Sequence, residues 1–243
     1  MRKELLTVEE NVFLTKNVLK MTLCGNIPQE KKAGRFVNIA LSGCFLRRPI
    51  SVCDSEENRL TIVYKIVGEG TAKMSKLQKG AKLDVLLDLG NGYNEDKSGE
   101  KPLLLGGGVG VPPLYYLAKR LIRQGKKPSV ILGFNTASEV FFEKEFRALG
   151  CEVTVTTADG SYGKKGFVTD AIEKGSYTHF YCCGPEPMLK AVYKATETEG
   201  QFSFEERMGC GFGACMGCSC KTITGNKRIC KEGPVLNKEE IIW

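Results

Sequence analysis

The sequence predicts a fold of three consecutive parts: an antiparallel β-barrel, an α/β domain with a parallel sheet, and a small cysteine-rich segment. The first hundred residues hold short apolar stretches separated by Gly, Pro, Asn and Asp, and this spacing is typical of a small antiparallel barrel or sandwich. Beyond them, apolar strands alternate with helical stretches, which indicates a parallel sheet covered on both faces. Five of the eleven cysteines then lie between residues 210 and 230.

In the barrel half, the predicted strands are Asn11–Cys24, Phe36–Leu41, Leu60–Val67 and Leu83–Leu87. The polar stretch at residues 94–101, NEDKSGEK, predicts a linker. We therefore expect one domain over residues 1–98, a second over 99–200, and the cysteine-rich segment over 201–243.

In the second half, the strand Pro102–Leu105 runs into a glycine turn, and Pro112 and Pro113 open a helix. Proline is tolerated there because the first helical turn has no intrahelical hydrogen bond to lose. The further predicted strands are Ser129–Phe134, Glu152–Thr157 and Thr178–Cys183.

Composition excludes several classes of protein. The 243 residues are 42% hydrophobic and 26% charged, which is globular, and no apolar run approaches the roughly 18 residues of a membrane-spanning helix. The start, MRKELLTVEENVF, does not resemble a secretory signal, so we expect a cytoplasmic protein. The net charge of +7 comes from scattered lysines, whereas a nucleic-acid site would cluster them. A single histidine, His179, disfavours histidine-rich metal sites.

The most specific motif is formed by Cys210, Cys215, Cys218 and Cys230. Their spacing, C-x4-C-x2-C-x11-C, matches the C-x4-C-x2-C…C pattern of plant-type [2Fe–2S] ligands. The glycines between them let the backbone approach the sulfurs. Zinc is the alternative, although it usually takes paired C-x2-C knuckles. Cys220 is a second candidate for the third ligand, but the spacing favours Cys218 and leaves Cys220 as a packing residue.

Two further motifs lie at the ends of predicted parallel strands. The turn Gly106-Gly107-Gly108-Val109-Gly110 follows a strand and opens a helix, where N–H groups can hold a pyrophosphate. It lacks the last glycine of G-x-G-x-x-G, and no acidic residue ends the next strand to bind a ribose. Cys183-Gly184-Pro185-Glu186-Pro187-Met188 would lie at the same sheet edge, where ligands bind in open α/β sheets. Read alone, each motif could be a structural turn.

The fourth motif, Arg47-Arg48-Pro49-Ile50-Ser51, begins an apolar segment of the barrel half. An arginine can bind phosphate with two hydrogen bonds, and a serine hydroxyl can reach a ring nitrogen. In isolation the same residues could be a solvated basic turn.

Together the four motifs resemble the ferredoxin-NADP reductase superfamily in order and spacing. The appended cysteine segment narrows the resemblance to the electron-transfer subunits of type B dihydroorotate dehydrogenases. RRPIS, LGNGY at Leu89–Tyr93, GGGVGVPP and CGFGACMGC carry this resemblance over essentially the whole chain.

The resemblance implies roles for individual residues. FAD would be bound by Arg48, Pro49, Ile50, Ser51, Lys65, Ile66, Val67, Gly70 and Thr71, although Lys65–Val67 has no distinctive side chain. The nicotinamide nucleotide would face Gly106, Gly107, Gly108, Val109, Gly110, Cys183, Gly184, Pro185 and Met188. The [2Fe–2S] cluster would be held by Cys210, Cys215, Cys218 and Cys230.

The resemblance also implies an NAD-linked flavin and iron–sulfur oxidoreductase subunit. Electrons would pass between NAD(H), FAD and the cluster, to or from an FMN-containing dihydroorotate dehydrogenase catalytic subunit of pyrimidine biosynthesis. The resemblance implies a two-plus-two heterotetramer with that subunit. Nothing in this chain resembles a site for dihydroorotate itself. Two alternatives stay open: a similar relay serving another oxidoreductase, such as a sulfide dehydrogenase, a hydrogenase or a ferredoxin-NADP reductase type, and a nucleotide-binding regulatory module with a structural zinc.

Overall fold

The computed structural model describes residues 1–28 and 32–243. Its first part is a closed antiparallel barrel of six strands in the order β1-β2-β5-β4-β3-β6. The strands are β1 (Arg2–Phe13), β2 (Val18–Cys24), β3 (Phe36–Ile39), β4 (Arg48–Glu56), β5 (Arg59–Lys65) and β6 (Lys82–Leu89), with helix α1 (Glu69–Met74) after β5. Because side chains alternate along a strand, Val37 and Ile39 of β3 point into the barrel core. The predicted barrel class is confirmed.

Two local predictions for the barrel were wrong. Asn11–Cys24 is the end of β1, a turn and then β2, because the Leu14 N–H donates to the Val18 carbonyl at 2.8 Å and reverses the chain. The polar stretch predicted as a linker is packed: Glu95 is buried, accepts a hydrogen bond from Gln124 Nε2 at 2.6 Å and pairs with Arg120.

The second part is a seven-stranded sheet in the order β10-β9-β8-β7-β11-β12-β15. Its strands and helices, with a separate two-stranded hairpin of β13 and β14, are β7 (Pro102–Gly107), α2 (Val111–Arg123), β8 (Ser129–Phe134), α3 (Glu143–Ala148), β9 (Glu152–Thr157), β10 (Lys164–Lys165), β11 (His179–Cys183), α4 (Glu186–Ala195), β12 (Gly200–Ser203), β13 (Ser219–Thr222), β14 (Gly225–Arg228) and β15 (Val235–Asn237). All neighbours pair in parallel except β12 and β15, which are antiparallel.

The cysteine-rich segment is integrated into this sheet. Strand β15 adds an antiparallel edge to β12, and the side chains of Cys218, Ile229 and Cys230 pack in one core with Phe202. Phe36 of the barrel belongs to the same core. The three parts therefore share apolar contacts.

An ion pair also joins the barrel to the second domain. Lys119 of α2 lies 2.5 Å from the Asp54 carboxylate of β4, and both side chains are largely buried. Because the two residues belong to different parts, the pair helps to fix how helix α2 packs on the barrel. Among the described helices, none is long and apolar enough to cross a membrane.

Candidate cofactor sites

The four predicted cluster cysteines come together as two pairs. In the loop before β13, the backbone N–H groups of Ala214 and Cys215 donate to the Cys210 sulfur at 3.2 and 3.4 Å, and Cys210 N–H donates to the Cys215 sulfur at 3.4 Å. The β13–β14 hairpin returns the chain, so that Cys230 N–H donates to the Cys218 sulfur at 3.4 Å. The pairs are thus Cys210 with Cys215 and Cys218 with Cys230.

This arrangement fits a two-iron cluster. Four cysteines hold a [2Fe–2S] cluster, two on each iron, and the chain supplies two pairs. Among residues 1–28 and 32–243, no group of three or more His, Cys, Asp or Glu side chains is placed to hold a single ion.

The two pairs lie in different electrostatic surroundings. Burial opposes ionisation of Cys210, but N–H groups of Phe212, Cys215 and Ala214 stabilise its thiolate, so the pKa of Cys210 falls to about 6. Burial and the neighbouring Cys218 raise the pKa of Cys230 to about 12. Since iron binds thiolates, binding of iron at Cys230 releases a proton.

The loop that carries Cys210 and Cys215 is held by Arg228, a residue of strand β14. Arg228 Nη1 donates to the Gly213 carbonyl at 2.6 Å, while its Nε donates to Glu232 at 2.9 Å. Gly213 has φ +93°, which favours glycine. Cys220 lies on β13 opposite Lys227, outside both pairs, and this placement supports Cys218 as the third ligand.

The predicted flavin segments meet at one end of the barrel. Strand β5 runs antiparallel to β4, with Ile62 opposite Val52, so that the end of β5 and the start of β4 lie at the same end of the barrel. A side-chain carbon at Gly70 would overlap the Arg48 guanidinium, so the glycine leaves the space that the arginine occupies. The Thr71 hydroxyl accepts hydrogen bonds from the N–H groups of Val67 (2.9 Å) and Gly68 (3.2 Å), and thereby shapes the turn.

The remaining flavin-segment residues differ in exposure. Pro49, Ile50 and Ser51 are half-buried on β4, where Ser51 pairs with Phe36. Ile66 packs against the barrel core, whereas Val67 is exposed. The structure thus gathers all nine predicted residues around the start of β4 and the turn into α1.

The two predicted nucleotide motifs interlock at the carboxyl edge of the sheet. Cys183 on β11 is in register with Gly106 on β7. A side-chain carbon at Gly110 would overlap the Cys183 carbonyl, and one at Gly107 would overlap the Met188 sulfur. Glycines at these places therefore permit the close approach of the two motifs, and Gly108, at φ +50°, faces open space.

Cys183 has a polar environment of its own. It is in register with Ser203 on β12 and lies near the buried Tyr93, and both hydroxyl groups favour its thiolate form. Burial nevertheless raises the pKa of Cys183 to about 12. The thiol is therefore protonated at neutral pH.

One acidic residue at this edge escaped the sequence analysis. Glu139, in the short 3-10 helix Ala137–Glu139 after β8, folds back so that its Oε2 accepts hydrogen bonds from the N–H (3.2 Å) and Nδ2 (3.0 Å) of Asn135. Its carboxylate thus lies beside the end of the strand next to β7, the place where an acid contacts the ribose in dinucleotide sites. The acidic residue expected near the end of this strand is present in the sequence, but it lies five residues beyond Phe134, the last residue of β8.

Comparisons with known proteins agree with this arrangement. A family model described as the iron-sulfur cluster binding domain of dihydroorotate dehydrogenase B matches residues 205–242, and one described as the oxidoreductase NAD-binding domain matches residues 104–194.

Solved structures share this architecture, one over nearly the whole chain and another over four fifths of it. A chain of the NADH-dependent reduced ferredoxin-NADP oxidoreductase, solved for insights into flavin-based electron bifurcation, has a TM-score of 0.89 and 29% identity, over 99% of this chain and 90% of that one. A ferredoxin NADP+ reductase from Neisseria gonorrhoeae with bound FAD and NADP has a TM-score of 0.71 at 16% identity, over 80% of this chain and 90% of that one, which shows a common fold.

Full-length relatives are more similar in sequence. The electron transfer subunit of dihydroorotate dehydrogenase B (NAD(+)) from Fusobacterium nucleatum subsp. nucleatum is 47% identical, over 97% of this chain and 96% of that protein. The Bacillus pumilus protein of the same description is 43% identical, over 99% of this chain and 98% of that one. The chain belongs to the family of electron transfer subunits of dihydroorotate dehydrogenase B (NAD(+)).

Proposed function

We propose that this chain carries electrons between NAD(H) and a dihydroorotate dehydrogenase catalytic subunit, through FAD and a [2Fe–2S] cluster that it binds. When bound, the flavin exchanges a hydride with the nicotinamide and the cluster carries single electrons. The observation that carries the proposal is the pairing of Cys210 with Cys215 and of Cys218 with Cys230 on a flavin-reductase fold. Residues 1–98, 99–200 and 201–243 would serve FAD, NAD(H) and the cluster.

At the nucleotide end, the chain would bind NAD(H) and orient its nicotinamide ring. N–H groups of Gly108–Gly110, at the start of α2, would hold the pyrophosphate, since a helix N-terminus favours an anion. Cys183 and Gly184, at the adjoining strand end, would position the nicotinamide against the flavin, with Pro185 and Met188 packed behind. The Glu139 carboxylate would accept a hydrogen bond from the ribose hydroxyl and repel a 2′-phosphate, which favours NAD(H) over NADP(H).

At the flavin end, Arg48 would clamp the FAD pyrophosphate with charge-assisted hydrogen bonds. Gly70 leaves room for that guanidinium. The Ser51 hydroxyl, which can donate or accept, would form a hydrogen bond with a flavin ring nitrogen. Pro49, Ile50, Thr71 and the backbone of Lys65–Val67 would line the same site.

At the cluster end, the pair of Cys210 and Cys215 lies nearer the surface than the buried pair of Cys218 and Cys230. Cys215 is exposed, and Phe212 and Met216 beside it are 43% and 53% exposed. An apolar surface beside a one-electron site suits docking of a partner protein. We propose that this partner is the FMN-containing catalytic subunit, assembled as two copies of each chain. None of the eleven cysteines is in a disulfide, which fits a cytoplasmic location.

The test compares two rates on the same preparations. The isolated chain should oxidise NADH with an artificial acceptor but leave dihydroorotate unchanged, and addition of the FMN subunit should create NAD-linked dihydroorotate oxidation. Cys215→Ser should abolish the coupled rate and spare much of the artificial one, while Cys44→Ser, a half-buried barrel thiol, serves as the matched control. Coupled turnover that survives loss of iron would contradict the proposal.

A second candidate comes from the similarity to the ferredoxin-NADP oxidoreductase chain. A relay of that kind would reduce a ferredoxin or NADP+ with its own partner and give no dihydroorotate oxidation with the FMN subunit. The higher identity to the dihydroorotate dehydrogenase subunits, 47% against 29%, favours the first proposal.

A further inference from the structure

One asparagine links the cluster loop to the barrel strand beside the flavin segment. Asn38 lies on β3, and its Nδ2 donates to the backbone carbonyl of Cys210 at 3.3 Å. The two residues are 172 positions apart in the chain. Asn38 is 1% exposed, so this hydrogen bond forms in a protected interior.

The strand pairing places Asn38 next to the flavin segment. In the β3–β4 ladder Asn38 lies directly opposite Pro49, and Phe36 lies opposite Ser51. Residues opposite each other share a face of the sheet, whereas Val37 and Ile39, on either side of Asn38 along β3, face the barrel core. Asn38 is thus on the outer face that also carries Pro49 and Ser51.

The amide is tightly placed. A side-chain carbon at Gly211, the residue after Cys210, would overlap Asn38 Nδ2, so the loop backbone passes directly over the amide. The strand beneath is fixed as well, since Arg47 Nη1 donates to the Asn38 carbonyl at 3.2 Å and Arg47 Nη2 donates to Asp84 at 2.8 Å. Asn38 therefore has little freedom to move.

The other half of the amide has no protein partner. Asn38 Oδ1 is buried and accepts no hydrogen bond from residues 1–28 or 32–243. A buried acceptor without a partner is costly, and exchange of the amide atoms would break the bond to Cys210. The Oδ1 atom is therefore available to a donor that the chain does not supply.

We infer that Asn38 is a positioning residue, which holds the loop of Cys210 at a fixed separation from the flavin segment and so sets the rate of electron passage between flavin and cluster. The inference rests on the proposed function. In that passage NADH gives a hydride to the bound FAD and becomes NAD+; one of the two electrons then reduces one iron of the cluster, the other stays on the flavin until a further acceptor takes it, and the proton goes to solvent. Asn38 itself exchanges neither electrons nor protons.

The experiment measures the two steps separately after anaerobic mixing with NADH, following flavin bleaching and then the appearance of the reduced-cluster electron paramagnetic resonance signal. Asn38→Leu removes both polar atoms of the amide and keeps the branched shape, and Asn38→Asp keeps the acceptor but loses the donor to Cys210. We expect both variants to bind FAD and iron, to reduce flavin at the parent rate, and to fill the cluster about tenfold or more slowly, because small displacements of reacting groups have effects of that order. The cluster signal should also shift, which loss of stability alone would not cause.

The matched control is Asn91→Ala, which loosens the same C-terminal segment at Glu232 and Val235, away from the cysteines. Cluster filling at the parent rate in both Asn38 variants, or equal slowing in Asn91→Ala with no spectral change in any variant, would overturn the inference. A parent protein that binds no flavin or no cluster would instead overturn the proposed function.

Discussion

Asn91 of the barrel and Val235 of strand β15 hold each other by paired hydrogen bonds, although 144 residues separate them. Asn91 Nδ2 donates to the Val235 carbonyl at 2.7 Å, and the Val235 N–H donates to Asn91 Oδ1 at 3.1 Å. The same Nδ2 donates to the Glu232 carbonyl at 2.9 Å. One side chain thus fastens the last part of the chain to the first.

Asn91→Ala should therefore destabilise the protein. The change leaves backbone groups of Glu232 and Val235 without partners, which costs about 2–4 kcal/mol of unfolding free energy. Denaturant unfolding measures the loss, and limited proteolysis should cut the C-terminal segment first. Asn226→Ala, at an exposed position of the β13–β14 hairpin, should change stability by less than about 0.5 kcal/mol. Equal stability of the two variants would contradict the role of Asn91.

The cysteine pairs make a specific prediction about iron. Cys215→Ser removes one of the paired ligands and should lose iron and sulfide while FAD stays bound. Cys220→Ser alters a thiol outside both pairs and should keep the cluster. Iron and acid-labile sulfide analysis decides between them, and equal loss in both variants would refute the ligand assignment.

Glu139→Gln should weaken the preference for NADH. Without the negative charge at the end of β8, NADPH meets less repulsion at its 2′-phosphate, so the ratio of kcat/KM for NADPH to that for NADH should rise about tenfold, or about 1.4 kcal/mol. Glu145→Gln, on the exposed side of α3, is the control and should leave the ratio unchanged. An unaltered ratio in Glu139→Gln would place the ribose elsewhere.

His179 should make the folded state sensitive to acid. Burial, together with the charge of Lys97, lowers the pKa of His179 to about 4, and its buried Nε2 has no partner among the described residues. Because the folded pKa lies below the ordinary value of about 6.5, the unfolded chain binds this proton first. The free energy of unfolding is therefore at its full value above about pH 6.5 and declines by about 3 kcal/mol as the pH falls towards 4. Unfolding free energies across this range should decline less in His179→Phe than in the parent, and parallel curves would refute the assignment.

Local patterns predicted much of the second domain. The bounds of β8 and β9 agree with the sequence prediction, since short apolar runs between turn residues are sufficient to mark buried parallel strands. The turn between β1 and β2 was missed because alternation continues through it. Strand β15 could not be predicted, because Val235–Asn237 becomes a strand only through pairing with β12 and contact with Asn91.

The cofactor-site residues also divide into those that the sequence predicted and those that only the fold reveals. Spacing alone selected four cysteines, but their division into two pairs depends on the hairpin that returns Cys230 to Cys218. Glu139 and Asn38 carry no motif, since each acquires its place from a fold-back or a distant contact. The individual site residues stay predictions until their variants are measured.

The edge position of β15 has a practical consequence for dissecting the protein. A chain shortened to end at Ser203 would leave β12 as an open sheet edge, with its backbone donors and acceptors unpaired and the Phe202 ring uncovered. Open edges of this kind recruit strands from other molecules and promote aggregation. Residues 1–203 are therefore not a detachable module, because the cysteine-rich segment also covers the sheet edge at β12.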